Sequence, residues 1–374
     1  MKEELLRAEI DLKAIAHNVR ELRRITNSRS RLMAVVKANG YGHGSVEVAR
    51  CALDNGAEFL GVARIDEAIK LRNEGIDAPV LIFGYTLPSF YEEILKFDLT
   101  QTVFSLHAAE SLSAFAVSKN RKIKIHIKID TGMGRLGIMP DSDSAVREIE
   151  SIVRLPGLER EGIFTHFSTA DSSDKEFARR QFEIFMEFLN NLKSKSIEFS
   201  LRHASNSAGI IDMPETHLDM VRAGIAMYGL YPSEEVQKEK ASLIPAMAVK
   251  SMIIHLKDVP AGFKVSYGAT YATTKPTTIA TVPVGYADGY SRLLSSRGYM
   301  LVGGERAPIA GRVCMDLTML DVGDTTGVKQ GDKVVILGKQ KDSEIKADEI
   351  ASLTGTINYE VVSSLTERVK RVYI

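Results

Sequence analysis

The 374-residue sequence has no tryptophan, only two cysteines (Cys51 and Cys314) and no net charge, with 48 lysines and arginines set against 48 aspartates and glutamates. Two cysteines cannot build a disulfide framework, and such scarcity suits a reducing compartment. Balanced charge provides no global field to draw nucleic acid or an acidic membrane surface. The basic stretch from Arg20 to Arg31 is interrupted by apolar and acidic residues and reads as a solvated helix end and loop. No apolar run approaches the ~20 residues that cross a bilayer. The segment from Met1 to Asp11 mixes charged with apolar residues, unlike a secretory leader. These absences point to a cytoplasmic protein with neither nucleic-acid nor membrane partners, and no metal is assigned. What is present agrees: 44% hydrophobic and 26% charged residues are ordinary for a soluble globular chain, and the length suits two domains.

Short apolar or β-branched runs recur at 32–37, 58–63, 79–83, 99–104, 122–130, 160–166, 198–203 and 217–222. Between them lie helix-periodic segments at 45–55, 65–74, 106–118, 142–154 and 175–194, the last marked by Phe177, Phe182, Phe185, Phe188, Leu189 and Leu192 near 3.6 spacing. Cys51 falls in one of these helices and is expected in its packed face. Eight strands, nearly all separated by helices, predict an α/β fold with an N-terminal (β/α)8 TIM-type barrel. A doubly wound open sheet is the alternative, weakened because the loop after the first strand lacks the G-x-G-x-x-G order. After residue 232 the pattern changes. Pro232 to Pro245 reads as a connector, and β-rich runs at 247–256, 277–284, 299–303, 307–313, 317–322 and 333–338 follow, punctuated by glycines. The expectation is a barrel over residues 1–240 and an all-β domain over 241–374, with residues 1–10 contributed to the β domain as an extra strand.

In barrels of this type, functional groups sit at the carboxyl ends of strands. The first strand ends at Lys37, within Ala34-Val35-Val36-Lys37-Ala38-Asn39-Gly40-Tyr41-Gly42-His43-Gly44. A buried ammonium is costly, so its pKa falls, and a neutral lysine amine forms a Schiff base with a carbonyl. The fifth strand ends in Asp130-Thr131-Gly132-Met133-Gly134-Arg135-Leu136-Gly137, the sixth in Thr165-His166, the seventh leads to His203 and Ser207, and the eighth ends in Arg222-Ala223-Gly224. Phosphate commonly binds after strands seven and eight of such barrels, where Ser207 and the Gly224 and Ile225 amides lie. A Schiff-base lysine and a phosphate cradle on one rim suggest pyridoxal 5′-phosphate (PLP).

These motifs, together with Arg222-Ala223-Gly224-Ile225-Ala226-Met227-Tyr228-Gly229, Val265-Ser266-Tyr267-Gly268, Gly311-Arg312-Val313-Cys314-Met315-Asp316 and Ile357-Asn358-Tyr359-Glu360, resemble the alanine racemases among barrel-type PLP enzymes. The resemblance spans both predicted domains. It implies PLP on Lys37, with Tyr41, Ser207, Gly224, Ile225 and Tyr359 at the phosphate and Arg222 at the pyridine nitrogen. Arg135 and the Met315 backbone would meet the substrate carboxylate or its surroundings. Tyr267 would come from the β domain of a second subunit, making a homodimer with shared sites, and His166 would link Tyr267 to Arg222. Lys128 matches a position that is carbamylated in many members. The implied reaction interconverts L-alanine and D-alanine with Lys37 and Tyr267 as the two proton carriers, supplying D-alanine for peptidoglycan. Alternatives are a racemase for serine or another amino acid on the same scaffold, or a non-catalytic PLP-binding protein. Ser291 and Leu317 depart from the family pattern outside the catalytic set.

Overall fold

The computed structural model describes residues 4–140 and 143–374. It comprises two compact units, one formed by Lys13–Gly40 and Ser45–Pro245, the other by the segment ending at Leu12, by Tyr41–Gly44 and by Ala246–Ile374. Along the chain, β1 (Leu6–Ile10) belongs to the second unit. The first unit holds β2 (Arg31–Val35), β3 (Phe59–Val62), β4 (Val80–Ile82), β5 (Thr100–Val103), β6 (Ile123–Lys128), β7 (Leu158–Phe164), β8 (Leu201–His203) and β9 (Met220–Ala223).

These eight strands make one parallel sheet in the order β8-β7-β6-β5-β4-β3-β2-β9, so β2 pairs with both β3 and β9 and the sheet curls into a nearly closed barrel. The expected (β/α)8 fold is therefore observed. The predicted helices lie at Ser45–Asp54, Ile65–Asn73, Leu106–Ser118, Asp143–Val153 and Glu176–Ser194. Leu12–Ile25 is a further helix, ahead of β2, and two others, Tyr91–Lys96 and Ser207–Asp212, are too short to show a helical period in sequence. The helix Leu106–Ser118 starts where Ser105 Oγ accepts the Ala108 amide at 3.3 Å. In Glu176–Ser194 the buried stripe is Phe185, Phe188, Leu189 and Leu192, whereas Phe177 in the first turn is exposed. Cys51 is half-buried rather than fully packed.

The barrel interior is divided in character. Met33, Phe59, Leu81, Leu201 and Met220 pack together there, each burial contributing roughly 1.5–3 kcal/mol. On β6 the alternation inverts the usual pattern. Ile123, Ile125 and Ile127 are buried on one face, while His126 and Lys128 occupy the other and are buried too. Gly162 on β7 accommodates this arrangement, because a Cβ there would stand 2.6 Å from the His126 ring.

After β2 the chain makes a left-handed turn. Ala38 and Asn39 both have φ 52 and ψ 48, Gly40 has φ 62, and Tyr41 has φ 50. Each non-glycine residue so placed costs roughly 1–2 kcal/mol, and the cost falls on the residues next to Lys37.

In the second unit a sheet runs in the order Glu305–Pro308, Tyr299–Val302, Lys333–Gln340, Met247–Met252, β1, Lys370–Tyr373. β1 is antiparallel to Met247–Met252 and parallel to Lys370–Tyr373. A three-stranded sheet joins His255–Val259, Thr277–Val282 and Thr318–Asp321. The run read as 247–256 is thus two strands in two sheets. The chain crosses between them where Ile253 donates to Asp332 and Ile254 to Thr281. Among the described residues no helix is long and apolar enough to cross a membrane, and no cluster of His, Cys, Asp and Glu is arranged to hold a metal.

Candidate active site

The strand ends of the barrel assemble a cationic rim. Lys37 follows β2 and is half-buried; its amine is held below the ordinary lysine range by burial first and by the Arg135 charge second, with Glu67 acting in the opposite direction. Glu67 also fixes the turn that carries Lys37. Its Oε1 accepts the Ala38 amide at 2.6 Å, and its Oε2 accepts the Ala63 and Arg64 amides at 2.7 and 3.1 Å. The strained backbone is thereby tied to the start of the helix Ile65–Asn73.

After β6, the Asp130 carboxylate gathers the amides of Gly132, Gly134 and Arg135 at 3.0 to 3.1 Å. The loop closes where Asp130 N donates to Ile138 O and Ile138 N donates to Lys128 O. Gly137, at φ +133, is required at this closure, since a Cβ would lie 2.5 Å from the Asp130 nitrogen. Lys128 points into the barrel and donates to the Ile129 carbonyl at 2.8 Å. Burial, then the Arg222 charge, pulls its amine down to about 7.

Arg222 on β9 is buried at the centre of the rim. Nη1 donates to His203 Nδ1 at 2.9 Å, and Nη2 approaches Thr165 O at 2.9 Å, Ala204 O at 2.8 Å and His166 Nδ1 at 3.0 Å. Its Nε donates to no protein group among the described residues. Phe164 lies beneath, 5.4 Å from the guanidinium carbon, and stacks on His203 with centroids 4.6 Å apart. Burial first and Arg135 second pull the guanidinium down to about 9. His166 is held well below the usual imidazole range by burial and then by Arg222, so it is neutral and its Nδ1 is the acceptor. Nearby, Ser207 Oγ accepts the Gly224 amide at 2.9 Å and the Ala226 amide at 3.3 Å, flanking Ile225.

The remaining sequence-predicted residues lie in the second unit. The Tyr41 and Tyr359 rings stand 6.1 Å apart, and burial raises the Tyr41 phenol above its usual range. Tyr267 and Met315 are exposed on this chain. Their motifs are joined: Ser266 Oγ donates to the Arg312 carbonyl at 2.6 Å, and Gly311, at φ +82, passes so close to Val265 that a Cβ would lie 2.8 Å from its oxygen.

The model of the alanine racemase N-terminal domain matches residues 10–232, and that of the C-terminal domain matches 246–373. The chain belongs to the alanine racemase family. It is an enzyme, an isomerase. A relative from Desulfosudis oleivorans named alanine racemase is 56% identical over 98% of this chain and 96% of its own. One from Methanococcus maripaludis is 51% identical over 98% of each. The solved alanine racemase of Clostridium difficile superposes with a TM-score of 0.95 at 40% identity, covering 100% of this chain and 97% of its own. That of Bacillus anthracis, solved with bound L-Ala-P, gives 0.95 at 38% identity, covering 100% and 96%.

The barrel's donor set fits PLP. Arg222 bonds protein groups through Nη1 and Nη2 and leaves Nε–H for a ring-nitrogen acceptor, the Ser207 hydroxyl accepts two amides and keeps its own hydrogen for a phosphate oxygen, and Lys37 supplies an amine biased toward its nucleophilic form. Three residues that support this rim carried no sequence signal of their own: Glu67, His126 and Phe164. Their roles depend on contacts between strands and helices distant in sequence, and only the His126–Lys128 alternation hints that β6 turns polar groups inward.

Proposed function

We propose that the enzyme interconverts L-alanine and D-alanine, with PLP held covalently on Lys37. The observation that carries this reading is the convergence of a nucleophile-biased lysine, a donor-only buried arginine and a serine-centred anion cradle on one barrel rim, in a chain of this family. When bound, PLP supplies an electron sink for the charge left as the substrate's α-proton departs.

The chain's own residues then divide the work. Inversion requires proton carriers on opposite faces of the α-carbon; these are the Lys37 amine and Tyr267 of the partner subunit, in a homodimer. A phenol is a poor base near neutrality. Neutral His166, with Nδ1 committed to Arg222, offers its Nε2–H to the phenolate oxygen and stabilises it. Arg222 donates and cannot accept, so it would hold a ring nitrogen only as an unprotonated acceptor, a pairing that would weaken the electron sink and disfavour transamination. Arg135, with the Met315 backbone, orients the substrate carboxylate. Tyr41, Ser207, Gly224, Ile225 and Tyr359 hold the phosphate. Lys128, an amine poised near neutrality between Arg222 and Arg135, is the residue that reacts with carbon dioxide to a carbamate, giving the cationic cluster an anion; 13C-bicarbonate labelling read by NMR tests this. The product D-alanine serves peptidoglycan synthesis, and the enzyme works in the cytoplasm.

Borohydride reduction of the PLP-loaded protein followed by peptide mass spectrometry should place a pyridoxyl group on Lys37. A chiral assay should show D-alanine formed from L-alanine, with loss of activity in Lys37→Ala. An unlabelled Lys37 peptide together with an active Lys37→Ala enzyme defeats the assignment.

A further inference from the structure

Arg222 is held from behind by a chain of side chains that crosses the barrel to its far end. Arg222 Nη1 meets His203 Nδ1 at 2.9 Å, His203 Nε2 meets His126 Nδ1 at 2.8 Å, and His126 Nε2 meets Glu161 Oε2 at 3.0 Å. Glu161 also accepts from the hydroxyl of Thr100, the first residue of β5, which places it at the amino-terminal end of the strands, opposite Lys37. A guanidinium only donates and an ionised carboxylate only accepts, while each neutral imidazole donates once and accepts once. Only one placement of hydrogens satisfies all three contacts: both imidazoles protonated at Nε2 and bare at Nδ1. We infer that Glu161 is a positioning residue, which through His126 and His203 fixes the orientation and hydrogen pattern of Arg222 from the opposite end of the barrel.

The local structure is built around this link. The β6–β7 register shifts at this point: Ile125 pairs with Arg160 but His126 pairs with Gly162, so Glu161 is the extra residue of a bulge. Regular alternation would put Glu161 and Gly162 on opposite faces. The bulge brings both to His126, the glycine leaving room for the ring and the glutamate receiving its N–H. No carboxylate bonds Arg222 directly among the described residues, so Glu161 is the anion connected to this buried cation, through two polarisable imidazoles. Burial holds His126 and His203 below the ordinary imidazole range, in keeping with neutral rings. Burial pushes Glu161 up, but the His126 hydrogen bond and the Lys124 charge help bring it below the usual range, so it stays ionised.

The kinetic arm of the test rests on the functional reading above; the spectroscopic arm does not. In 15N-histidine NMR of the full chain without cofactor, both rings should be protonated at Nε2 only. A proton on Nδ1 of either ring overturns the inference with no mutation needed. Glu161→Leu should abolish this single-tautomer signature and lower kcat roughly 10- to 100-fold, the range typical of groups that orient a site residue, with KM changing less. Glu161→Gln, whose amide oxygen still accepts the His126 N–H, should restore the tautomers and most of kcat. A folded Glu161→Leu protein with unchanged imidazole signals and unchanged kcat refutes the role. An unlabelled Lys37 would overturn the cofactor assignment and leave the imidazole spectra as they are.

Discussion

Replacing Gly162 with alanine isolates the packing beneath the arginine. The added carbon would lie 2.6 Å from both Cε1 and Nδ1 of His126, where carbon contacts relax at about 3.5–4.0 Å. The ring cannot withdraw by roughly 1 Å for free, because it is bonded at 2.8 Å to His203 on one side and at 3.0 Å to Glu161 on the other. Overpacking costs about 1–3 kcal/mol, and a buried partner left unsatisfied costs about 1–3 kcal/mol more. The backbone at Gly162 is not left-handed, so alanine adds no dihedral strain and the whole effect belongs to the ring. Gly162→Ala should therefore lower stability in urea unfolding by about 2–6 kcal/mol. His126→Ala removes the obstacle. The Gly162→Ala/His126→Ala protein should be less destabilised than the sum of the single variants, by about 1–3 kcal/mol. Additivity within about 0.5 kcal/mol, as for sites that do not touch, would refute the steric argument.

Three further outcomes are expected. Lys128 has its proton affinity drawn down to about 7 in the folded chain, against 10.5 when free. Between these values the unfolded state binds more protons, so stability should rise with pH across that window and fall back as pH drops toward 7; Lys128→Met should flatten the rise in denaturation midpoints of the cofactor-free protein. The Lys175–Asp212 pair is 2.7 Å long with side chains only 9% and 1% exposed, so Asp212→Ala should cost about 3–5 kcal/mol in urea unfolding, and replacing both partners with apolar residues should recover much of it. Tyr267→Phe should keep PLP by absorbance yet lose racemisation in a chiral assay, with kcat/KM falling equally in both directions because the two enantiomers have the same free energy; a variant rate unchanged from wild type would discard its role.

The barrel was legible because its signals are local. Each strand is a short apolar run and most helices carry their own period, so eight β/α units can be counted before any contact is known. The rim was legible for a related reason: Arg222 lies near the carboxyl end of its strand and Lys37, Arg135 and His166 lie in the segments that follow theirs, where this fold concentrates chemistry. What escaped depends on pairing across the chain. The bulge at Glu161 exists only relative to β6. The left-handed turn at Ala38–Tyr41 involves an alanine and a tyrosine, residues with no preference for that conformation, and is held by a glutamate from a later helix. The split of 247–256 into two strands needs partners far along the sequence, and Phe177 satisfied a helical period while facing outward.

The pairing of β1 has a consequence for biosynthesis. Leu6–Ile10 lies between Met247–Met252 and Lys370–Tyr373. At translation speeds of roughly 5–20 residues per second, the strand made first waits on the order of 20 to 70 s for its last neighbour to be made. Through that interval its edge is available to other chains, and Arg7 and Glu9, alternating with Ala8 and Ile10, give it the charged gatekeepers that discourage such pairing.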